Sequence, residues 1–483
     1  MACATRAARW IAAFVPNGHS RACGNPRRLG TLDPRFRGGD ETIDATHSES
    51  TLATVPWAEV TGAMYCLVLI PMSLLFVGPD ATPPGRPPVR TGHWRATLDT
   101  PGGELPFGME LVKDETGLRA WLINGSERSE VKVTRQDEDL VFDIEHYDSK
   151  ITARPEANGA VLSGQWTKRR GPDRWVKLPF LATAGAARRF NPNVSASTTN
   201  PARFTGRWDA RFSGSDEPAI GLFECHQDGT CTGTFLTTTG DYRFLAGNYD
   251  GDRIALSCFD GAHAFLFDAR VAADGTLRGD FWSGDTWHET WTATRDPSAA
   301  LPDPFSLTQA TGNSGLADVE FKGLDGKSRR LTEPAFAGAA QILEVFGSWC
   351  PNCNDATAYL SELDRRYRAR GLSIVGLAFE LTGDFDRDVR QVRAFARLHK
   401  AEYPILMAGM SDKEKASKAL PLVDRIRAYP TIIFLDRTGR VRAVYTGFSG
   451  PATGEAHREL RDRFETLIES LLASPGPTPT HAP

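Results

Sequence analysis

The stretch Gln341-Ile-Leu-Glu-Val-Phe-Gly-Ser-Trp-Cys-Pro-Asn-Cys353 decides how the last third of this sequence folds. Gln341 to Phe346 is a short apolar run that predicts a strand, and beyond it Ala356, Leu360, Leu363 and Tyr367 recur at helical spacing as far as Gly371. Trp349-Cys350-Pro351-Asn352-Cys353 therefore lies where a strand feeds a helix. Two intervening residues let both sulfurs meet within one helical turn. Cys350, at the helix N-terminus, faces unpaired amides and the positive end of the dipole, which favour its thiolate. The chemistry expected is attack by Cys350 on a partner disulfide, followed by resolution of the mixed disulfide by Cys353, buried one turn further in. Pro351 suits the first helical turn, where its missing N–H had no partner. Half of a zinc site has the same spacing, but no second CxxC or CxxH pair exists, so a redox pair is expected and no metal.

Strand and helix periods alternate on either side of this stretch, as expected of a parallel or mixed sheet with covering helices. Strands are predicted at Leu372 to Phe379, Pro404 to Met407, Thr431 to Leu435 and Arg440 to Phe448. Helices are predicted at Asp384 to Lys400 and Asp412 to Ala428, with a closing amphipathic helix carrying Leu460, Phe464, Ile468 and Leu471. Tyr429-Pro430 interrupts this series just before a strand, and Asp436-Arg-Thr-Gly439 marks a turn.

With WCPNC, the Gly-Leu-Asp-Gly-Lys hairpin (Gly323 to Lys327), Pro430-Thr431 before a strand ending in Asp436-Arg-Thr-Gly439, and the terminal Gly447-Phe-Ser-Gly-Pro-Ala-Thr-Gly454, residues 313–473 resemble the thioredoxin-like TlpA/ResA family of exported thiol-disulfide oxidoreductases. The resemblance implies a thioredoxin-like α/β fold and a cis Tyr429-Pro430 bond facing the cysteines. It implies a partner protein held at Trp349, Pro351, Tyr429 and Pro430. It also places Glu380, at the end of the Ile374 to Phe379 strand, where reductase-type relatives carry a carboxylate near the dithiol. Half-buried there, Glu380 would have a raised pKa and relay the proton of Cys353, the alternative being a solvated strand-end carboxylate. No cofactor beyond the redox-active pair Cys350 and Cys353 is implied. Tyr429 is bulkier than the residue usual before that proline, which affects partner selectivity. A thiol peroxidase is the less favoured alternative, because peroxiredoxins carry Thr three residues before their reactive Cys and here that position is Gly347.

Upstream, two β-rich blocks at 91–183 and 205–296 are set apart by Pro-, Ser- and Asn-rich separators at 185–204 and 296–312. The blocks look like a duplication: Gly92-His-Trp94-Arg-Ala96 recurs as Gly206-Arg-Trp208-Asp-Ala210, and Gly159 to Gly164 recurs in register as Gly275 to Gly279. Short strands cut by turns at Asp137 to Asp139 and at Asp260-Gly261 give about eight strands per copy, enough for a closed barrel or a two-sheet sandwich. The Gly-x-Trp opening loosely resembles lipocalin- and avidin-type barrels. A lumen would admit an apolar ligand, but barrels of this size are more often filled by their own side chains. Cys225 and Cys231 flank a turn and are candidates for a structural disulfide, with Cys258 a competing or leftover thiol.

Length and composition fit this division. A chain of 483 residues calls for two or three cores, and 41% hydrophobic with 24% charged residues is ordinary globular usage. Lys plus Arg at 56 against Asp plus Glu at 60 argues against a nucleic-acid partner. The Lys413, Lys415, Lys418 run and His226, His263 and His288 read as solvated or ordinary polar positions. Met64 to Gly78 is uncharged and apolar, and with the Pro-rich linker to residue 90 it reads as an export signal or uncleaved membrane anchor; residues 1–63 read as a mis-started frame or a disordered extension. The whole is expected to be a multidomain protein of the periplasm or cell envelope that exchanges disulfides with protein partners. It is expected to act as a reductase fed by an envelope electron donor, as relatives in cytochrome maturation are. The rival reading is a ligand- or partner-binding β-protein with an accessory dithiol.

Overall fold

In the computed structural model the described residues are 88–474, apart from 116, 186, 191–199, 313–315, 317 and 318. The expected extension (1–63) and the apolar segment Met64 to Gly78 lie outside them. Among the described residues no helix is long and apolar enough to cross a membrane.

The first β-rich block is a closed barrel of eight antiparallel strands, from Gly92–Thr100 to Trp175–Ala184, the last pairing back onto the first. In Trp175–Ala184 buried and outward residues alternate as a half-buried strand requires, with Val176, Leu178, Phe180 and Ala182 inside. The second block repeats the meander from Gly206–Phe212 to Trp287–Arg295, which pair with each other. Pairing of Ala219–Cys225 with Thr230–Thr237 completes the ring, so the barrel alternative holds for both blocks and the sandwich does not. The repeated motif has one job in both copies. Gly164 lies opposite Ala153 and Gly279 opposite Ala269, and at either glycine a Cβ would fall 2.0 Å from a carbonyl oxygen of the neighbouring strand. Trp94 and Trp208, the repeated tryptophans, are both buried. The second barrel is filled with rings, Phe212, Phe235, Tyr242, Phe267, Phe281 and Trp291, leaving its lumen to its own side chains. Cys225 and Cys231 pair across their hairpin in a disulfide, and Cys258 is a buried free thiol.

The barrels share a core. Phe259 of the second packs on Phe107 and Trp166 of the first, with centroids 4.5 and 5.2 Å apart. Part of the first separator is drawn into this junction, where Arg189 donates to Ser257 Oγ (2.9 Å) and Asn124 Oδ1 (2.7 Å).

The C-terminal sheet runs in the order Ser328–Arg330, Glu320–Gly323, Ile405–Met410, Leu372–Glu380, Ala340–Phe346, Thr431–Asp436, Val441–Thr446. Ala340–Phe346 is buried throughout, parallel to Leu372–Glu380 and antiparallel to Thr431–Asp436. Helices Pro351–Tyr367, Phe385–His399 and Glu455–Ala473 cover it, the last through Leu460, Phe464, Ile468 and Leu471. Beyond shifts of one to three residues at element ends, two differences from the sequence reading have a structural cause. The helix expected over Asp412 to Ala428 ends at Ala419, because Leu420 precedes Pro421 and is pushed out of the helical region (φ −127°, ψ 77°). The second separator is partly structural: Pro304–Leu307 is a short helix whose Phe305 ring packs edge-on to Tyr445.

Candidate active site at the dithiol

Cys350 caps the Pro351–Tyr367 helix in extended conformation, and its sulfur accepts the Cys353 N–H at 3.3 Å. The same sulfur donates to the Tyr429 carbonyl oxygen at 3.4 Å, and the Tyr429-Pro430 bond is cis. Trp349 donates its indole N–H to Phe379 O at 2.9 Å and sets its ring edge-on to Tyr429. Trp349, Pro351, Tyr429 and Pro430 thus gather around one sulfur. Gly347 is required by close approach: a Cβ there would sit 2.2 Å from Trp349 Nε1 and 2.8 Å from Phe379 O, leaving no room for the Thr of a peroxidatic site.

Both cysteines are free thiols, and neither has any exposed surface. Burial, reinforced by Cys350, pushes the Cys353 thiol well above its ordinary value. Two buried carboxyls flank the pair. Glu380 accepts the N–H and the hydroxyl of Ser348, yet burial outweighs these bonds and lifts its pKa to about 8. Glu344, the one charged residue in the Ala340–Phe346 strand, accepts from Thr357 Oγ1 (2.5 Å) and Tyr403 OH (2.8 Å); burial lifts it to about 7, and its charge acts on Cys353. The sequence reading overlooked Glu344, although a lone carboxylate inside an apolar strand was visible.

Lys413, read as part of a solvated face, and His263, read as an ordinary polar residue, both lie inward. Lys413 donates to Arg427 O at 2.5 Å, and burial, opposed by Cys350, brings its pKa to about 7. His263 is buried against Asp260 at 3.2 Å.

The barrels reach the site as well. From the first, buried Lys168 donates to Ala262 O at 2.9 Å; burial and then the Arg170 charge lower its pKa to about 7, while Asp260 and Cys350 oppose the drop. From the second, the Asp241 carbonyl accepts from Asn352 Nδ2 at 3.3 Å and Arg243 donates to Pro351 O at 3.1 Å, so both residues between the cysteines are held by the barrel. The hint for this was a loop of unequal length. Where the first barrel joins its third and fourth strands through Gly125 and Ser126 alone, the second inserts Thr238 to Phe244. Among the described residues no group of three His, Cys, Asp or Glu side chains could hold a metal ion.

A family model, Redoxin, matches residues 310–459. The thiol-disulfide oxidoreductase ResA of Geobacillus thermodenitrificans is 25% identical over 140 residues, spanning 29% of this chain and 72% of that one. The ResA of Bacillus thuringiensis subsp. konkukian is 26% identical over 118 residues, 24% of this chain and 60% of that protein. Among solved structures, a putative thiol:disulfide interchange protein DsbE from Chlorobium tepidum is 19% identical, covering 32% of this chain and 92% of that one with a TM-score of 0.25. Residues 310–459 are a Redoxin domain, and the C-terminal region has ResA thiol-disulfide oxidoreductases among its homologues.

Proposed function

We propose that this protein is an extracytoplasmic thiol-disulfide oxidoreductase that reduces disulfides in protein partners. The observation that carries the reading is the Cys350 sulfur, seated at the helix cap on the Cys353 N–H and facing the Tyr429 carbonyl. In the reducing direction the Cys350 thiolate attacks one sulfur of a partner disulfide; the partner bond breaks, its leaving thiolate takes a proton, and a Cys350–partner disulfide forms. Cys353 then gives up its proton and attacks the Cys350 sulfur. The second partner thiol departs and Cys350–Cys353 is left oxidised, two electrons having passed to the client. An envelope dithiol donor restores the reduced pair by the reverse exchange.

Cys353 needs a base because its thiol is held well above the ordinary range. Glu344, whose charge acts on Cys353 from the adjoining strand, is one buried carboxyl able to take that proton. Glu380, bound to Ser348, orients the Trp349–Cys350 turn and is a second carboxyl able to exchange a proton. The Cys225–Cys231 disulfide supports a place in an oxidising compartment. Reduction of insulin in the presence of dithiothreitol tests the reading: Cys350→Ser should remove all rate above background. Equal rates in variant and wild type would leave a binding protein with an inert dithiol.

A further inference from the structure

A sulfur with no exposed surface cannot touch a partner disulfide, so the closed arrangement does not react. The cover from outside the Redoxin domain is specific. Thr239 to Arg243, inside the insertion that the first barrel lacks, lies on the Pro351–Asp355 turn and the Gly447–Gly450 loop. Asp241 fixes the segment, accepting Gly450 N–H at 2.6 Å and the N–H of Arg243 at 2.6 Å. At Gly447 (φ +77°) a Cβ would lie 2.6 Å from the Thr239 carbonyl carbon, so the two backbones are in direct contact.

Arg243 ties this segment to three parts of the molecule. Its buried guanidinium pairs with Glu127 of the first barrel, Asp260 of the second and Asp355 of the dithiol helix, while donating to Pro351 O. Its backbone is left-handed (φ +56°), a conformation a long side chain holds only when its surroundings impose it. At the dithiol two polar atoms are buried without partners, Tyr429 OH and the Oδ1 of Asn352, whose Nδ2 the segment holds, and a client chain would offer them hydrogen bonds.

We propose that Thr239–Arg243 is an intrachain lid seated on the client-docking face of the dithiol, latched by Arg243, and that a client must displace it to reach Cys350. The proposal rests on the oxidoreductase reading and adds that the barrels control access to it. Release carries the segment away with the barrels, since Tyr242 is held among the rings of the second: Arg243 keeps Glu127 and Asp260, exchanges Asp355 and Pro351 O for solvent and frees the WCPNC turn, with no covalent change.

The test uses the reduced full-length chain and a polyethylene-glycol maleimide, with the labelled cysteine located by peptide mass spectrometry. Labelling through a rare open state tracks its population. Wild-type Cys350 should react far more slowly than free cysteine. Arg243→Met leaves three carboxylates, Asp260 buried and Glu127 and Asp355 half-buried, without their cation and should raise the rate roughly a hundredfold. Gly450→Val has ordinary backbone angles at that position, but its Cβ would press on Asp355 Oδ2 (2.6 Å) and Asp241 Oδ2 (3.0 Å), and it should open the same contact should Arg243→Met fail to fold. Independently, a peptide held as a mixed disulfide on Cys350 in a Cys353→Ser chain should strip hydrogen-exchange protection from the amide of Gly450, which is bonded across the contact to Asp241. Wild-type labelling at the rate of the variants, or retained protection in the mixed disulfide, overturns the lid. The oxidoreductase reading survives that result if insulin reduction still depends on Cys350, and falls separately if it does not.

Discussion

Ser348 donates its backbone N–H and its hydroxyl to the two carboxyl oxygens of Glu380, at 2.7 and 2.8 Å. Glu380 is thereby bound to the residue two places before Cys350, while Glu344 acts on Cys353 from the neighbouring strand. The two carboxyls are expected to differ in effect. In Glu344→Gln the pH profile of Cys353 alkylation should move, because a buried charge acting on that thiol is gone. In Glu380→Gln the profile should hold its shape while turnover falls by about tenfold, through a loosened Ser348–Trp349 turn. A profile displaced by Glu380→Gln and indifferent to Glu344→Gln would transfer the relay to Glu380.

These carboxyls also set a pH dependence of stability. Glu344 and Glu380 titrate near 7 and 8 when folded, above the ordinary carboxylate value, because burial disfavours their charge. Between pH 5 and pH 8 the folded protein therefore holds protons that the unfolded chain has released. Their contribution is full below about pH 4.5 and is lost as pH rises through 7 and 8. Wild type should lose stability on this climb. Glu380→Gln, less stable at pH 5, should regain on wild type by roughly 3 to 4 kcal/mol by pH 8, read from urea midpoints. A constant difference across that range would mean that Glu380 is already ionised in the fold.

What could be read from the chain was what local pattern encodes. The strand feeding Cys350, the helix behind it, the proline before Thr431 and the eight-strand meanders each depend on periodicity or a short motif. Placement across domains was not legible. Arg243 and Lys168 have no local signature, and only the fold brings them from separate barrels to the dithiol. Pro421, which ends a helix early, was visible and was overridden by the apolar spacing around it. Glu344 was legible in principle, since a strand interior tolerates a carboxylate only when hydroxyls such as those of Thr357 and Tyr403 meet it.

The disulfide of the second barrel should matter to stability and not to the dithiol. It joins residues six apart, a short loop, so its loss in Cys225→Ser with Cys231→Ser should cost about 2 kcal/mol in urea unfolding. Cys350-dependent reduction of insulin should be unchanged in that variant. A drop in turnover would mean that the hairpin helps to hold the strand leading to Thr238–Phe244.

Gly347 offers the sharpest test of how the site is built. Its missing side chain makes room for the Trp349 indole, whose N–H reaches Phe379 O, and that bond fixes the residue next to Cys350. A methyl placed 2.2 Å from Nε1 must drive the ring off its acceptor. Overpacking and an orphaned buried donor each cost about 1 to 3 kcal/mol, so Gly347→Ala should lose roughly 2 to 6 kcal/mol. Trp349→Phe removes the indole N–H and relieves the crowding. If the clash with that ring is the cause, adding Gly347→Ala to Trp349→Phe should cost less than it does alone, with a coupling of about 1 to 3 kcal/mol. Strictly additive losses would place the demand for glycine in the approach to Phe379 O instead, and would leave Trp349 free to be set by Tyr429.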